Sequence, residues 1–229
     1  MSTDGSSSAA DDSAALSSSI FIYRPPASNA KSPQTSSSVV PKDVTRVRIH
    51  GSVRSIPPKA FRGCSNLVEV EFPDGLESIG AEAFWRCTSL LRIYVPPNVT
   101  TIGESAFKKC FSLKEVHLGE GLRTIGRSAF FRCTSLLRID IPSSVAAIDS
   151  DAFYKCTSLS VVNLSEGLRI IGQCAFQQCT SLICVDIPTS VAAIDDEAFH
   201  SCTSLSVVNL SEGLRTIGRL AFSKCTSLL

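Results

Sequence analysis

The chain is poor in the residues that carry most chemistry. Of 229 residues only 3 are His, 1 is Trp and 1 is Met. No H-E-x-x-H, G-x-S-x-G or Gly-rich phosphate loop occurs. Site chemistry needs convergent groups, so the expectation is a protein that is not an enzyme and holds no cofactor or metal. Long apolar runs are missing too. The longest in the first 43 residues is Ile20-Phe21-Ile22-Tyr23, against about 7–15 apolar residues for a secretory core and about 20 for a transmembrane helix. Asp4, Asp11 and Asp12 precede the first basic residue, Arg24, and transit peptides are poor in acids. The expected location is cytoplasmic or nuclear by default, and extracellular if N-terminal sequence is missing, with no membrane span. Charge of one sign is lacking as well. With 22 Lys and Arg against 21 Asp and Glu, the net charge is +1, which excludes a generic polybasic nucleic-acid binder.

What is present falls into two parts. Residues 1–43 are dominated by Ser, Ala and Pro, with triple serines at 6–8, 17–19 and 36–38. Such a segment cannot bury enough apolar surface to offset its ordering entropy, so it reads as a disordered tail. Ile20–Pro26 is either a short linear motif or an accidental cluster in a linker, the latter favoured. Ser32-Pro33 is a weak phosphorylation signal.

From Val44 to Leu229 the chain repeats every 23 residues. Ala-Phe recurs eight times without insertion or deletion, from Ala60-Phe61 to Ala221-Phe222. Ile precedes each Phe by five, Cys follows it by three, and Leu follows Cys by three. A fixed period in this range marks a solenoid. Within one unit, Ile93-x-Val95 has period two and reads as a short strand with both side chains inward, ended by Pro96. Gly103 is expected to turn the corner with positive φ. Glu104–Cys110 then reads as a helical turn or two burying Ala106, Phe107 and Cys110. Eight units about 4.8 Å apart make a stack roughly 40 Å long, stabilised by neighbour interfaces.

The pattern C-x-S-L-x-x-I-x-I-P-x-S-V-x-x-I-x-x-x-A-F, as in Cys133–Phe153, resembles the BspA-type leucine-rich repeat. The resemblance covers residues 44–229 and implies an α/β solenoid: a right-handed superhelix of eight 23-residue units, with short parallel strands on the concave side and short helical turns on the convex side. Family members include surface proteins implicated in adhesion, a role that a chain without a visible signal does not inherit directly. Units also alternate between a P-x-S-V-like loop and an x-E-G-L loop, and residues 140–169 nearly recur at 186–215, a step of 46. This points to duplication by pairs.

Eight of the ten cysteines share the period. Zinc is disfavoured because no C-x-x-C pair occurs. Disulfides between rungs are disfavoured because equivalent Cβ atoms lie about 4.8 Å apart while a disulfide wants roughly 3.8 Å. All ten thiols are expected free, the eight as small buried hydrophobes, with Cys174 and Cys184 reacting first.

Two faces are candidates for binding an unknown protein partner. On the concave strands the slot Arg46, Glu69, Arg92, Glu115, Arg138 alternates in sign, then changes to Val161, Cys184, Val207. The companion slot there reads Asp140, Asn163, Asp186, Asn209. This apolar stripe beside an Asp/Asn row is the preferred protein-binding patch. On the convex side Arg86, Lys109, Arg132 and Lys155 share one slot, beside Trp85, Phe131 and Tyr154. This basic row suits an anionic ligand or nucleic acid. However, the i,i+4 pairs Glu82–Arg86, Glu104–Lys108 and Asp151–Lys155 favour a solvated, neutralised face, and nucleic acid is not expected. At the C-terminus no capping element follows Cys225–Leu229. The last unit is expected to fray or to mediate end-to-end self-association, and the chain reads as a fragment of a longer repeat protein.

Overall fold

Alternation of apolar and polar residues sets the first ladder of the solenoid. The longer strands are Arg46–Ile49, Glu69–Glu71, Arg92–Tyr94, Glu115–His117, Arg138–Ile141, Val161–Leu164, Cys184–Asp186 and Val207–Asn209. In the first seven, the slot running from Val47 to Val185 is buried and the residues on either side are exposed or half-buried. This is the period-two signature of a sheet with one wet face. The strands are described in a computed structural model that covers residues 20–24 and 40–228. Pro25-Pro26, Ser32-Pro33 and the serine runs lie outside the described residues.

A second parallel ladder of eight two-residue strands runs from Ser55–Ile56 to Thr216–Ile217 without a break. The long-strand ladder, by contrast, is interrupted twice. It falls into a group of four ending at Glu115–His117, which a further strand, Phe21–Tyr23, extends at its start, the pair Arg138–Ile141 with Val161–Leu164, and the pair Cys184–Asp186 with Val207–Asn209.

The expected helical turns are not there: no described residue is helical. The segment 103–110 explains why. Ser105, Phe107 and Lys109 donate their N–H groups to the next rung, to Arg127, Ala129 and Phe131 carbonyls, each at 2.8 Å. Ala106, Lys108 and Cys110 instead donate three residues back, to Gly103, Ser105 and Phe107, at 3.1–3.2 Å. Ser105 and Lys109 take positive φ, 55° and 63°. That alternation breaks any helical run and turns every second amide toward the neighbouring rung. The spacing of Ala106, Phe107 and Cys110 satisfies this ladder of turns as well as it satisfies a helix.

Two further expectations are corrected. Gly103 does not adopt positive φ. It is required by close approach, since a Cβ there would lie 2.7 Å from the Ala81 nitrogen of the preceding rung. And Ile20–Pro26 is not linker throughout: Phe21–Tyr23 is a parallel strand in register with Val47–Ile49. Tyr23 points inward, 4% exposed, its ring 5.1 Å from Phe61. The alternation Phe-Ile-Tyr lets this strand cover the open N-terminal end of the core.

The core itself is a column. Phe61, Phe84, Phe107, Phe130, Phe153, Phe176, Phe199 and Phe222 stack with centroids 4.9–5.4 Å apart and planes within 9°. Beside it, seven of the ladder thiols, Cys87 to Cys225 at steps of 23, each donate to the Phe carbonyl of the rung before, as in Cys110 Sγ to Phe84 O and Cys133 Sγ to Phe107 O, both at 3.2 Å. All ten cysteines are free.

The alternating loops also interlock. The Glu166 carboxylate of one x-E-G-L loop accepts the N–H groups of Thr189 and Ser190 and the Thr189 hydroxyl on the next loop, all at 3.0 Å. Ser190 returns a bond to the Leu168 carbonyl at 2.7 Å.

Candidate interaction surfaces

The outward residues of the long strands form the first surface, on the face expected to be concave. Cys184 and Val207 are register partners, as are Arg138 and Val161. Val161 and Val207 are 38% and 46% exposed, and Cys184 is exposed. Two larger side chains flank them: Leu137 and Ile183, 52% and 55% exposed. Strand alternation alone does not reveal this pair. Their signal is the doublet Leu136-Leu137 and Leu182-Ile183, in which the first residue fills an inward slot and the second is left outside.

In the companion slot, Asn163 Nδ2 donates to Asp140 Oδ1 at 2.7 Å, and Asn209 Nδ2 to Asp186 Oδ1 at 2.6 Å. Among the described residues no bond joins Asn163 to Asp186. That gap coincides with the second interruption of the ladder. Arg138 turns along its own strand to Asp140, Nε to Oδ2 at 2.9 Å. This pair, with Asn163, holds the Asp140 carboxyl below the usual carboxylate range. Cross-strand pairing occurs at the other end, between Arg46 and Glu69 at 3.1 Å and between Arg48 and Glu71 at 2.5 Å. At the first interruption His117 stacks on Tyr94, centroids 4.7 Å apart. Beside it is a shallow cavity of 210 Å³ lined by His117, Leu137, Arg138 and Asp140 among others. Among the described residues no group of three or more His, Cys, Asp and Glu side chains is placed to hold a metal ion.

The second surface is the turn edge. Arg86, Lys109, Arg132 and Lys155 occupy one slot on four successive rungs, as the 23-residue period predicts. Their expected carboxylate partners are elsewhere. Glu82 meets Arg62 at 3.4 Å and Lys59 at 3.9 Å, and Asp151 meets Arg127 at 3.9 Å. The i,i+4 rule holds for helices, and these turns are not helices, so residues four apart do not face one another. Trp85, Phe131 and Tyr154 share the next slot, Phe131 and Tyr154 stacked at 4.7 Å.

Comparison with known proteins agrees with this architecture. A model of the BspA type leucine rich repeat region matches in six copies over residues 41–160 and 123–229. The chain belongs to the BspA-type leucine-rich repeat family. Among solved structures it is similar to a leucine-rich repeat protein of T. pallidum, TpLRR, at 28% identity and a TM-score of 0.61, with 82% of this chain and 79% of that one covered. It is also similar to the pneumococcal vaccine antigen PcpA, at 25% identity and a TM-score of 0.61, with 91% of this chain but only 53% of that one covered. A search of curated proteins finds no match.

Proposed function

We propose that this protein is a non-catalytic interaction module that binds a protein partner through its long-strand face. The observation that carries the reading is the apolar stripe of Leu137, Val161, Ile183 and Val207, exposed beside hydrogen-bonded Asp140–Asn163 and Asp186–Asn209 pairs. Apolar side chains provide contact area that gains from leaving water. The Asp–Asn pairs present fixed carboxylate and amide edges that orient a partner's polar groups. Family membership supports an interaction role, since solenoids of this kind offer an extended face and few convergent groups.

The test is affinity capture from the native cell with the wild-type protein and with a Val161→Arg/Val207→Arg variant of equal thermal stability. Partners that are lost with the variant support the reading. An unchanged set of partners would sink it. The same face would serve an adhesion protein displayed outside the cell, the alternative that suits this family. Protease accessibility of the protein on intact cells separates the two locations.

A further inference from the structure

The turn edge carries positive charge that the fold leaves unbalanced. Among the described residues, Arg86, Lys108, Lys109, Arg132 and Lys155 have no carboxylate within 4.0 Å: Glu82 and Asp151 are engaged by Lys59, Arg62 and Arg127, and exposed Glu104 makes no ion pair. The backbone fixes the spacing: Arg86 N donates to Lys108 O, Lys109 N to Phe131 O and Arg132 N to Tyr154 O, at 2.7–2.9 Å. With one rung every 4.8 Å or so, the four cations of the slot span roughly 14 Å in a line. Like charges in such a row repel. Burial, followed by Arg86, Arg132 and Lys108, holds the Lys109 ammonium below its usual range. Beyond Lys155 the slot becomes neutral, with Gln178 and Ser201, so the row has a defined end.

The aromatic neighbours decide what kind of anion suits it. Arg62 and Arg86 lie over the Trp85 ring at 4.4 and 4.5 Å. Phe131 has Lys108 at 4.3 Å from the rung before and Tyr154 at 4.7 Å from the rung after. These rings are engaged by the protein's own groups, and Trp85 and Tyr154 brace Arg86 and Lys155. Binding of single-stranded nucleic acid relies on bases stacking on open rings, and the engaged rings offer a base little to stack on. We infer that the turn edge of rungs 85–155 binds a linear polyanion without bases, of the sulfated polysaccharide class, through Arg86, Lys109, Arg132 and Lys155. Alternating Arg forks and Lys ammonium groups fit sulfate oxygens as bidentate and point-charge contacts. The proposal concerns a different face from the one assigned to the protein partner and does not depend on it.

The test is titration of the full chain with a fluorescent heparin octasaccharide. Binding is expected at 50 mM salt and should weaken on the order of 50- to 100-fold by 200 mM, as about four counterions are released. The desulfated octasaccharide should not bind, and oligothymidylate of equal charge should bind more weakly. A Lys109→Gly/Arg132→Gly variant removes two charges at positions of positive φ, 63° and 58°. It should bind at least tenfold more weakly while its thermal midpoint holds or rises, so lost binding is separated from lost folding. Lys224→Gly, in the same slot at the far end with φ 59°, should bind like wild type. No binding at 50 mM salt, equal binding by the double-glycine variant, binding of the desulfated chain, tighter binding of oligothymidylate, or an equal loss with Lys224→Gly would each overturn the proposal.

Discussion

At the residue scale the cysteines do more than fill space. Each of seven ladder thiols, from Cys87 to Cys225, donates to a Phe carbonyl one rung back at 3.2–3.3 Å. Burial pushes them up, Cys156 and Cys202 to about 12. The folded protein therefore keeps protons that the unfolded chain releases above pH 9 or so, and stability must fall as pH rises from there toward 12. Each fully buried thiol should contribute a loss on the order of 1 kcal/mol between pH 8 and pH 10. The urea midpoint of wild type should drop steeply across that interval, and a Cys133→Ala/Cys156→Ala variant should drop less. Equal drops would mean the thiols are not the titrating groups. Reactivity at neutral pH should also be graded. Exposed Cys184 labels first. Cys174 follows slowly, its thiol pushed up to about 11 by burial and then by Asp151, Glu197 and Asp196. The sequence placed both outside the buried ladder but could not rank them, because the three acids near Cys174 come from neighbouring rungs.

At the element scale the turn ladder is built from residues that pay a backbone penalty: fifteen described non-glycine residues have positive φ. Left-handed backbone costs about 1–2 kcal/mol for an L-residue, partly offset on replacement by the greater freedom of glycine in the unfolded chain. Replacing exposed Lys224 with Gly should therefore raise the thermal midpoint by a small, measurable amount, a net gain of roughly 0.5 kcal/mol. Gly167→Ala should do the reverse, because its φ is 107° and a Cβ would collide with the Ser143 carbonyl oxygen. Repeat period, rung count and core slots could all be read from the chain, because they depend on apolar spacing within one unit. The turns could not. Whether the Phe107 amide bonds within its own unit or to Ala129 depends on the neighbouring rung, and apolar spacing is the same either way. The charge pairing failed with it, since Glu82–Arg86 faces only on a helix. In the candidate patch, Val161 and Asn163 were legible from alternation, whereas Leu137 and Ile183 sit one residue outside the strand pattern.

For the whole molecule, bonds between unlike loops on successive rungs favour keeping the two loop types in alternation. Glu166 holds the Thr189 and Ser190 amides, and those bonds keep its carboxyl below its usual range, with the Thr189 amide first. This contribution is present above the unfolded value near 4.5 and fades as pH falls below it. Deleting residues 147–192 removes 46 residues and preserves loop alternation, while deleting 147–169 removes 23 and sets like loops against each other. The shorter product of the larger deletion should have the higher urea midpoint. If the 23-residue deletion proves equal or better, the pairing has no energetic content. The near-identity of 140–169 and 186–215 has one more consequence. A rung recognises its neighbour by shape, and here two positions offer nearly the same shape. During refolding the last pair can settle on the wrong predecessor, or on the same pair of another molecule, with few clashes to reject it. Faithful assembly then depends on order of arrival, which favours a chain that emerges and stacks one rung at a time over one released all at once from denaturant.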